Sequence, residues 1–360
     1  MARIGRVLPT GVLLMSVVAC GGAASTPAPV ATPNSGNSAA VATATATAIA
    51  VPSCGCSSAP SAGATTGSTA AALATIRPGQ SGKVVAWGDN SQGQTAVPSD
   101  LTGVVAVAAG DEFSLAVRLD GTVVGWGADD VGETQIPATA TNVTAVSAGS
   151  TFAIALKSDG TVVGWGDNTY GQAAPPPGLK NVVEISAAGV HALALTSDGT
   201  VVAWGGDPNG ETEGPAGLKG VVQVSAGYDY SLALLKDGTV VAWGDRNPTD
   251  AAMGLARVPA GLSGVTAISA GYYHNLVIEA NGTVEGWGTN QDGEITIPSG
   301  LKAVAVAAGG NFSLALKRDG TVVAWGGNDS GQLNVPAGLS NVIAIDAGGS
   351  HALAVVASGQ

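Results

Sequence analysis

The sequence is poor in basic residues and in cysteine, and each shortage excludes a class of protein. Lysine and arginine number 14 against 26 acidic residues, which gives a net charge of −12. Such a chain lacks the basic surface that binds phosphate backbones, so we expect no nucleic-acid partner. Its three cysteines all lie before residue 57, so no disulfide can cross-link the rest of the chain. Catalytic signatures are missing too, since there is no G-x-S-x-G, no Walker loop and no cysteine beside a histidine.

Glycine, by contrast, is abundant at 54 of 360 residues, and tryptophan recurs in a single context. Each tryptophan ends a short strand-like stretch and is followed by glycine. The seven are Trp87, Trp126, Trp165, Trp204, Trp243, Trp287 and Trp325, with successive spacings of 39, 39, 39, 39, 44 and 38 residues. A fixed period of roughly 20 to 50 residues indicates a repeated supersecondary unit. Seven strand-rich copies predict a β-propeller.

The second copy shows how each unit is built. Residues 104–109 form a continuous apolar run, which is typical of a strand covered on both faces. Two further strand-like stretches follow, and Asp120-Gly121 between them is a strong hairpin signal. Support for a fourth, outer strand is marginal, because Pro137 and its counterparts cannot donate to a ladder. The sequence therefore predicts an all-β fold with short blades of three to four strands.

The first and last copies complete each other. The last copy, from Val342 onward, has two strands and lacks the tryptophan strand, whereas residues 83–88 supply that strand alone. Joined, they form a seventh blade and close the ring, which removes the exposed edges that promote aggregation. We therefore predict one seven-bladed propeller over residues 83–360, closed by pairing of its N- and C-terminal strands.

Residues 1–20 are similar to a bacterial lipoprotein signal. Two arginines precede an apolar stretch of 13 residues at 7–19, which is too short to span a bilayer. The stretch ends in Ala19-Cys20, where a lipoprotein would be cleaved and its cysteine acylated. The alternative is an ordinary secretory signal in which Cys20 is incidental. Both readings predict an exported, extracytoplasmic protein, and the first adds a lipid anchor at Cys20 as its only attachment to a membrane.

Residues 21–82 consist mainly of Ala, Thr, Ser, Pro and Gly. Such a stretch cannot bury enough apolar surface to offset its ordering entropy, so we predict a disordered tether. Cys54 and Cys56 lie within it, and no histidine is near in sequence to complete a metal site with them. They are open to two readings, a strained disulfide or two free thiols.

Two motifs in the repeats resemble those of the regulator of chromosome condensation family. The first, W-G-x-N-x-x-G-Q, stands at residues 87–94 and 165–172 and, with Gly at the third place, at 325–332. The second, A-G-x-x-F/H-S/A-L-A-L/V, spans residues 109–117 and 347–355. The resemblance implies a seven-bladed propeller.

A narrower resemblance concerns the secreted β-lactamase inhibitory proteins of the second type. The short period, the export signal and the V-P-x-G-L segment at 335–339 are similar to theirs. This resemblance implies that loops on one face grip a protein enzyme, although no contact residue can be matched one by one.

The residue pattern inside the repeats favours packing over chemistry. His191, His274 and His351 occupy a repeat position that Phe or Tyr fills in other copies. The tryptophans are expected to pack between blades, and the Asp- and Asn-rich loops, such as 167–171, lack the dense carboxylates of calcium sites. We therefore predict no metal, no cofactor and no catalysis. A propeller enzyme would need a carboxylate or histidine pair unique to one blade at the central channel, and none is recognisable in the sequence.

The copies differ most at two positions directly after the A-G turn. Rotational equivalence of the blades places all seven pairs on one rim of the ring. The pairs are Asp111-Glu112, Ser150-Thr151, Gly189-Val190, Tyr228-Asp229, Tyr272-Tyr273, Gly310-Asn311 and Gly349-Ser350. Tyrosine is enriched at interface hot spots, and acids beside it suit a basic patch on a partner. The predicted binding rim is Tyr228, Asp229, Tyr272, Tyr273, Asp111 and Glu112, with Tyr228 and Tyr272 expected to be dispensable for stability.

Alternatives stay open for both the site and the function. The rim pairs could be ordinary solvated loops, or the site could lie among the Trp-Gly loops around Asp129, Asp130 and Tyr170. The predicted function of this extracellular chain is non-catalytic binding of a protein. The most specific form of this prediction is that the partner is a β-lactamase. A general cell-surface adhesion or ligand-binding module is the first alternative, and a propeller enzyme is the second.

Overall fold

The computed structural model describes residues 80–246 and 252–358. The predicted signal peptide, the lipidation site Cys20, both cysteines of the tether and all but its last three residues lie outside the described residues. Within the described ranges, no helix combines the length and the apolar character that a membrane crossing requires.

The described part of the chain is all-β, and its strands recur in threes along the sequence. Counted from β2, the first strand of each three lines the centre of the ring. The strands are β1 (Gly82–Gly88), β2 (Val104–Ala109), β3 (Phe113–Arg118), β4 (Val123–Gly127), β5 (Val143–Ala148), β6 (Phe152–Lys157), β7 (Val162–Gly166), β8 (Val182–Ala188), β9 (His191–Thr196), β10 (Val201–Gly205), β11 (Val221–Ala226), β12 (Tyr230–Leu235), β13 (Val240–Gly244), β14 (Val265–Ala270), β15 (His274–Glu279), β16 (Val284–Gly288), β17 (Ala305–Ala308), β18 (Phe312–Leu316), β19 (Val322–Gly326), β20 (Val342–Ala347) and β21 (His351–Ala357).

The sheets form a ring of seven antiparallel blades, which confirms the predicted fold. Among the described residues, five sheets have three strands each and a sixth has the order β20-β21-β1-β2-β3-β4. That sixth sheet comprises two blades, because β1 and β2 pair only through Gly82 and Val104. Blades 1 to 6 therefore run in chain order from β2–β4 to β17–β19, and blade 7 consists of β20, β21 and β1.

The predicted closure by the two ends of the propeller is also confirmed. β1 pairs with β21 along its whole length, from Gly82 opposite Ala357 to Gly88 opposite His351. Across the same junction, the indole N–H of Trp87 donates to the carbonyl of Gln332 in blade 6 at 2.9 Å. Blade 7 is thus built from both ends of the repeat array.

The hydrophobic core lies between blades rather than within any one of them. Seven clusters of buried side chains each join one blade to the next. Between blades 1 and 2, Trp165 packs with Phe113 and Val143, and its indole N–H donates to the carbonyl of Glu133 at 2.7 Å. All seven tryptophans make the equivalent bond to the loop of the preceding blade. The predicted packing role of tryptophan is confirmed.

The outer, proline-containing segments are not strands in the described residues. Ile136, which precedes Pro137, instead packs against the cluster that contains Trp165. Ladder pairing outside the named strands is confined, within these ranges, to an isolated bridge between Thr283 and Lys302. Side-chain packing therefore covers the outer edge of a blade where the missing proline N–H prevents a ladder.

Candidate functional site

The rim pairs and the loops after each Trp-Gly lie on the same face of the ring. In blade 1 the N–H of Ala128, directly after Trp-Gly, donates to the carbonyl of Glu112 in the rim pair at 2.9 Å. Blade 5 repeats this bond from Thr289 to Tyr273 at 2.8 Å. The Asp-Gly hairpins lie at the other end of the middle strand. We call the surface made by the rim pairs and the Trp-Gly loops the loop face.

The polar residues of the Trp-Gly loops hold the loops themselves in shape. In blade 2 the side-chain amide of Gln172 donates to the carboxylate of Asp167 at 2.8 Å, and its oxygen accepts the N–H of Tyr170 at 2.8 Å. The side-chain oxygen of Asn168 accepts the N–H of Ala173 at 3.0 Å. The motif W-G-x-N-x-x-G-Q is therefore a set of turn clamps, and its side chains are occupied within the loop.

Asp129 and Asp130, two of the alternative site residues, lie in the Trp-Gly loop of blade 1. The carboxylate of Asp129 accepts the N–H of Thr134 at 3.1 Å and the side-chain amide of Gln135 at 3.2 Å. These bonds lower the pKa of Asp129. Asp130 is exposed in the same turn. Asp129 thus serves its own loop as Asn168 does in blade 2.

Three tyrosines of the predicted rim meet on the loop face. The ring centroids of Tyr228 and Tyr272 are 5.0 Å apart, and Tyr273 lies 6.0 Å from Tyr228 and 6.2 Å from Tyr272. They come from blades 4 and 5. Aromatic pairs at such separations attract each other beyond their buried area, so the three rings support one another in a single patch.

Tyr272 also makes a contact within the molecule, and its dispensability for stability stays a prediction. Its hydroxyl donates to the carboxyl of Asp111 on blade 1, across the mouth of the central channel. Burial raises the pKa of Asp111 to about 6, and the neighbouring charge of Glu112 adds to this. Asp111 is therefore partly buried and bonded within the molecule. Glu112 remains exposed on the loop face.

A groove of about 420 Å³ joins the two sets of candidates that the sequence kept apart. Its lining residues are Tyr170, Gly189, Val190, Asp207, Pro208, Tyr228 and Asp229. Tyr170, from the alternative set, is 62% exposed and stands beside Tyr228 and Asp229 of the rim set. Asp207 and Pro208 were not predicted, and Val190 was placed on the rim without being chosen as a binding residue. Comparison of the copies could have pointed to position 207, because it carries aspartate where the motif W-G-x-N-x-x-G-Q has asparagine.

Acidic side chains cluster beside the groove. Glu211 is fully buried, and burial raises its pKa to about 7, with further contributions from Asp207 and Asp229. One of its carboxyl oxygens accepts the N–H of Asn209 at 2.8 Å, and the other has no hydrogen-bond partner among the described residues. Three acidic groups thus interact at this end of the loop face.

The central channel holds two carboxyl groups, of which the sequence analysis placed Asp111 on the rim and missed Asp346. Asp346 of blade 7 and Asp111 of blade 1 both line a space of about 40 Å³ among small residues. Asp346 accepts the N–H of Ala109 at 2.8 Å, and burial raises its pKa to about 7. A water needs roughly 10–15 Å³, so the space admits a few waters and no organic substrate. The sequence could have pointed to Asp346, because serine or alanine fills the equivalent position in the other copies.

The three histidines are structural, as predicted. His191, His274 and His351 are fully buried, and burial lowers their pKa values to about 4. The Nε2 of His191 lies 3.0 Å from the hydroxyl of Ser231 on the next blade. That hydroxyl donates to the carbonyl of Glu211 at 2.9 Å, so the neutral imidazole donates to it in turn. The contact joins neighbouring blades.

Comparison with known proteins shows that these repeats match the model of a known repeat family. The family model for the regulator of chromosome condensation (RCC1) repeat matches residues 104–133, 143–172, 182–211, 221–247, 265–294 and 303–332. No curated protein matches the sequence significantly.

Solved structures share the fold at low sequence identity. Prp20p from Saccharomyces cerevisiae is 18% identical with a TM-score of 0.64, over 78% of this chain and 93% of its own. Human WBSCR16 is 18% identical with a TM-score of 0.61, over 78% of this chain and 100% of its own. The ectodomain of the Arabidopsis thaliana receptor kinase ACR4 is 22% identical with a TM-score of 0.55, over 69% and 90%.

Proposed function

We propose, since the chain belongs to the regulator of chromosome condensation repeat family, that it is a non-catalytic propeller that binds a protein through its loop face. The observation that carries the proposal is the contact of Tyr228, Tyr272 and Tyr273 on that face. Tyrosines in such clusters supply large contact areas with few rotatable bonds and are enriched at interface hot spots. The small volume of the central channel argues against a substrate chamber.

Structural neighbours support protein binding as a use of this fold. Prp20p is described with binding properties toward Gsp1p and histones, and yeast RCC1 is described bound to Kap60. These partners belong to those proteins. For this chain the neighbours support only the class of function, because their sequences are under 20% identical.

The sharper version of the proposal concerns place and partner. The lipoprotein-like ending at Cys20 and the Ala/Thr/Ser/Pro/Gly stretch after it support an exported protein held to a membrane by a lipid, with the propeller on a tether. In that location a β-lactamase is the partner that the resemblance of the short repeats suggests. The acidic net charge favours a partner surface of basic character.

Site-specific crosslinking tests the general proposal. A photoreactive residue at Tyr273 should crosslink the full chain to one protein in a cell-envelope fraction. The same residue at Leu119, which is 61% exposed beside the Asp-Gly hairpin of blade 1, is the matched control on the opposite face. Equal crosslinking from both positions, or crosslinking from position 119 alone, would contradict the assignment of the loop face.

A panel of purified β-lactamases tests the sharper version. We expect the full chain to inhibit at least one of them, and Tyr228→Ala to weaken that inhibition about 30-fold, as for loss of roughly 2 kcal/mol at a hot spot. Leu119→Ala should leave inhibition unchanged. If no enzyme in the panel is bound, the β-lactamase version is wrong, and the crosslinking result still decides the general one.

A further inference from the structure

We propose that the groove between Tyr170 and Tyr228 receives a basic side chain, arginine or lysine, of the protein partner. This inference rests on the proposed function, because it names the chemistry that one part of the loop face would recognise. The groove is built by three consecutive blades, since Tyr170, Val190 and Tyr228 come from blades 2, 3 and 4.

The walls of the groove suit the apolar stem and the cationic head of such a side chain. Tyr170, Tyr228, Val190 and Pro208 offer aromatic and aliphatic surface to a methylene stem. Aromatic faces also attract guanidinium and ammonium groups. The backbone of Tyr170 is already fixed, because its N–H donates to Gln172 at 2.8 Å, so the loop is ordered before a ligand arrives.

The charges at the groove are negative. Asp207 and Asp229 line it, and the carboxyl of Glu211 interacts with both. No basic residue is among the lining residues. Arg246, which follows β13, forms an ion pair with Glu213 at 2.7 Å and does not line the groove. A ligand cation in the groove would therefore meet two lining acidic residues, Asp207 and Asp229, and no lining cation.

The charge of Asp207 is not needed to form its loop. A substitution that removes only the charge can therefore test ligand recognition without disturbing the fold of the loop. Asp207 accepts the N–H of Thr212 at 2.7 Å. In blade 2 the neutral Asn168 accepts the equivalent N–H at 3.0 Å. Asparagine therefore suffices for the clamp, and the extra charge at position 207 serves no other bond that the motif requires.

The same comparison supplies a matched pair of variants. Asp207→Asn and Asp129→Asn remove one charge each, at the same repeat position, and both preserve the clamp oxygen. Only the first removes a charge from the groove. Tyr170→Ala removes the exposed aromatic wall, and its effect on the fold is limited because only the backbone N–H of Tyr170 enters the loop clamp.

Amide NMR of the full chain, titrated with the peptide acetyl-Gly-Arg-Gly-amide, tests the inference. The peptide in which citrulline replaces arginine keeps the shape and removes the charge. We expect the arginine peptide to shift the amide signals of Tyr170, Val190 and Asp229. The citrulline peptide should bind at least about twofold more weakly, because a cation–π contact at an exposed site contributes about two- to fivefold in affinity. Asp207→Asn and Tyr170→Ala should each weaken arginine binding by a similar factor, and Asp129→Asn should leave it unchanged.

Three outcomes would overturn the inference. They are equal binding of the citrulline peptide, signal changes away from the groove, and equal weakening by Asp129→Asn and Asp207→Asn. Partner binding that depends on Tyr228 but ignores Asp207→Asn and Tyr170→Ala would also overturn it, while leaving the proposed function intact. Failure of the proposed function has a different signature, in which the arginine peptide occupies the groove but crosslinking finds no partner on the loop face.

Discussion

Asp346 should contribute a pH dependence to the stability of the propeller, and one substitution should remove that contribution. The residue lies on β20 at the junction of blades 7 and 1, where its carboxyl oxygen accepts the N–H of Ala109 at 2.8 Å. At the equivalent position Ser147 accepts the N–H of Ala187 at 2.9 Å. Asp346→Ser therefore keeps the bond that the fold uses and removes the buried acid.

The magnitude follows from the pKa of this carboxyl group. Burial raises the pKa of Asp346 from 3.8 to about 7, so the folded chain binds the proton more tightly than the unfolded chain. The resulting stability is fully present below pH 3.8 and is lost as the pH rises through about 7. At about 1.4 kcal/mol per pKa unit, the full range corresponds to about 4 kcal/mol. Between pH 5.5 and 8.5 the accessible part is about 2 kcal/mol.

Urea unfolding of the full chain, followed by tryptophan fluorescence, measures this effect, because all seven tryptophans lie at blade interfaces. We expect the parent minus Asp346→Ser difference in unfolding free energy to fall by about 2 kcal/mol from pH 5.5 to 8.5. Taking the difference cancels the titration of Asp111 and Glu211. The exposed Asp130→Asn carries the same change in net charge and should show no such trend. A difference that is constant with pH would show that the Asp346 carboxyl is not desolvated.

Three further predictions concern the core, the closure and the anchor. Trp165→Ala should lower the free energy of unfolding by about 3–5 kcal/mol in urea titrations, since it empties the interface of blades 1 and 2; an effect below 1 kcal/mol would contradict that packing role. Deleting residues 84–88 removes most of β1 and leaves blade 7 with an open edge, so we expect aggregation or loss of cooperative unfolding in calorimetry. A deletion variant with the melting midpoint of the parent would refute closure by the termini. Cys20→Ser should shift the protein from the membrane to the soluble fraction, and unchanged partitioning would refute lipidation.

The repeat made the fold predictable, and the same repeat explains what the sequence analysis missed. Strand positions, hairpins and the closing pair of strands follow from residues that recur in every copy. Their physical roles recur as well, because each tryptophan donates to the preceding blade in the same way. The outer strand was the element that the sequence left in doubt, and the prolines that made it doubtful explain why it does not form in the described residues.

The site was predictable in its parts and not in its arrangement. The sequence placed Tyr228, Tyr272 and Tyr273 on one rim, but gave no sign that Tyr272 crosses the channel mouth to Asp111. Nor did it show that Tyr170 and Tyr228 share a groove. Both facts depend on how far a side chain reaches across a ring, and the repeat specifies the angular position of a residue without specifying that reach.

Departures from the repeat fall into two kinds, and the position of each departure indicates its role. On the inner strands the unusual residue makes a bond between blades, as Gln223 does with the N–H and the carbonyl of Ile268 at 3.0 and 3.1 Å. Asp346 makes such a bond to Ala109. Their polar atoms are used by the fold. In the Trp-Gly loops the turn clamp uses only part of the unusual residue. At Tyr170 it uses the backbone N–H, and at Asp207 it uses one carboxyl oxygen. The ring of Tyr170 and the charge of Asp207 are therefore not required by the clamp. Groups of the second kind, together with the rim tyrosines, are the ones that we propose a partner uses.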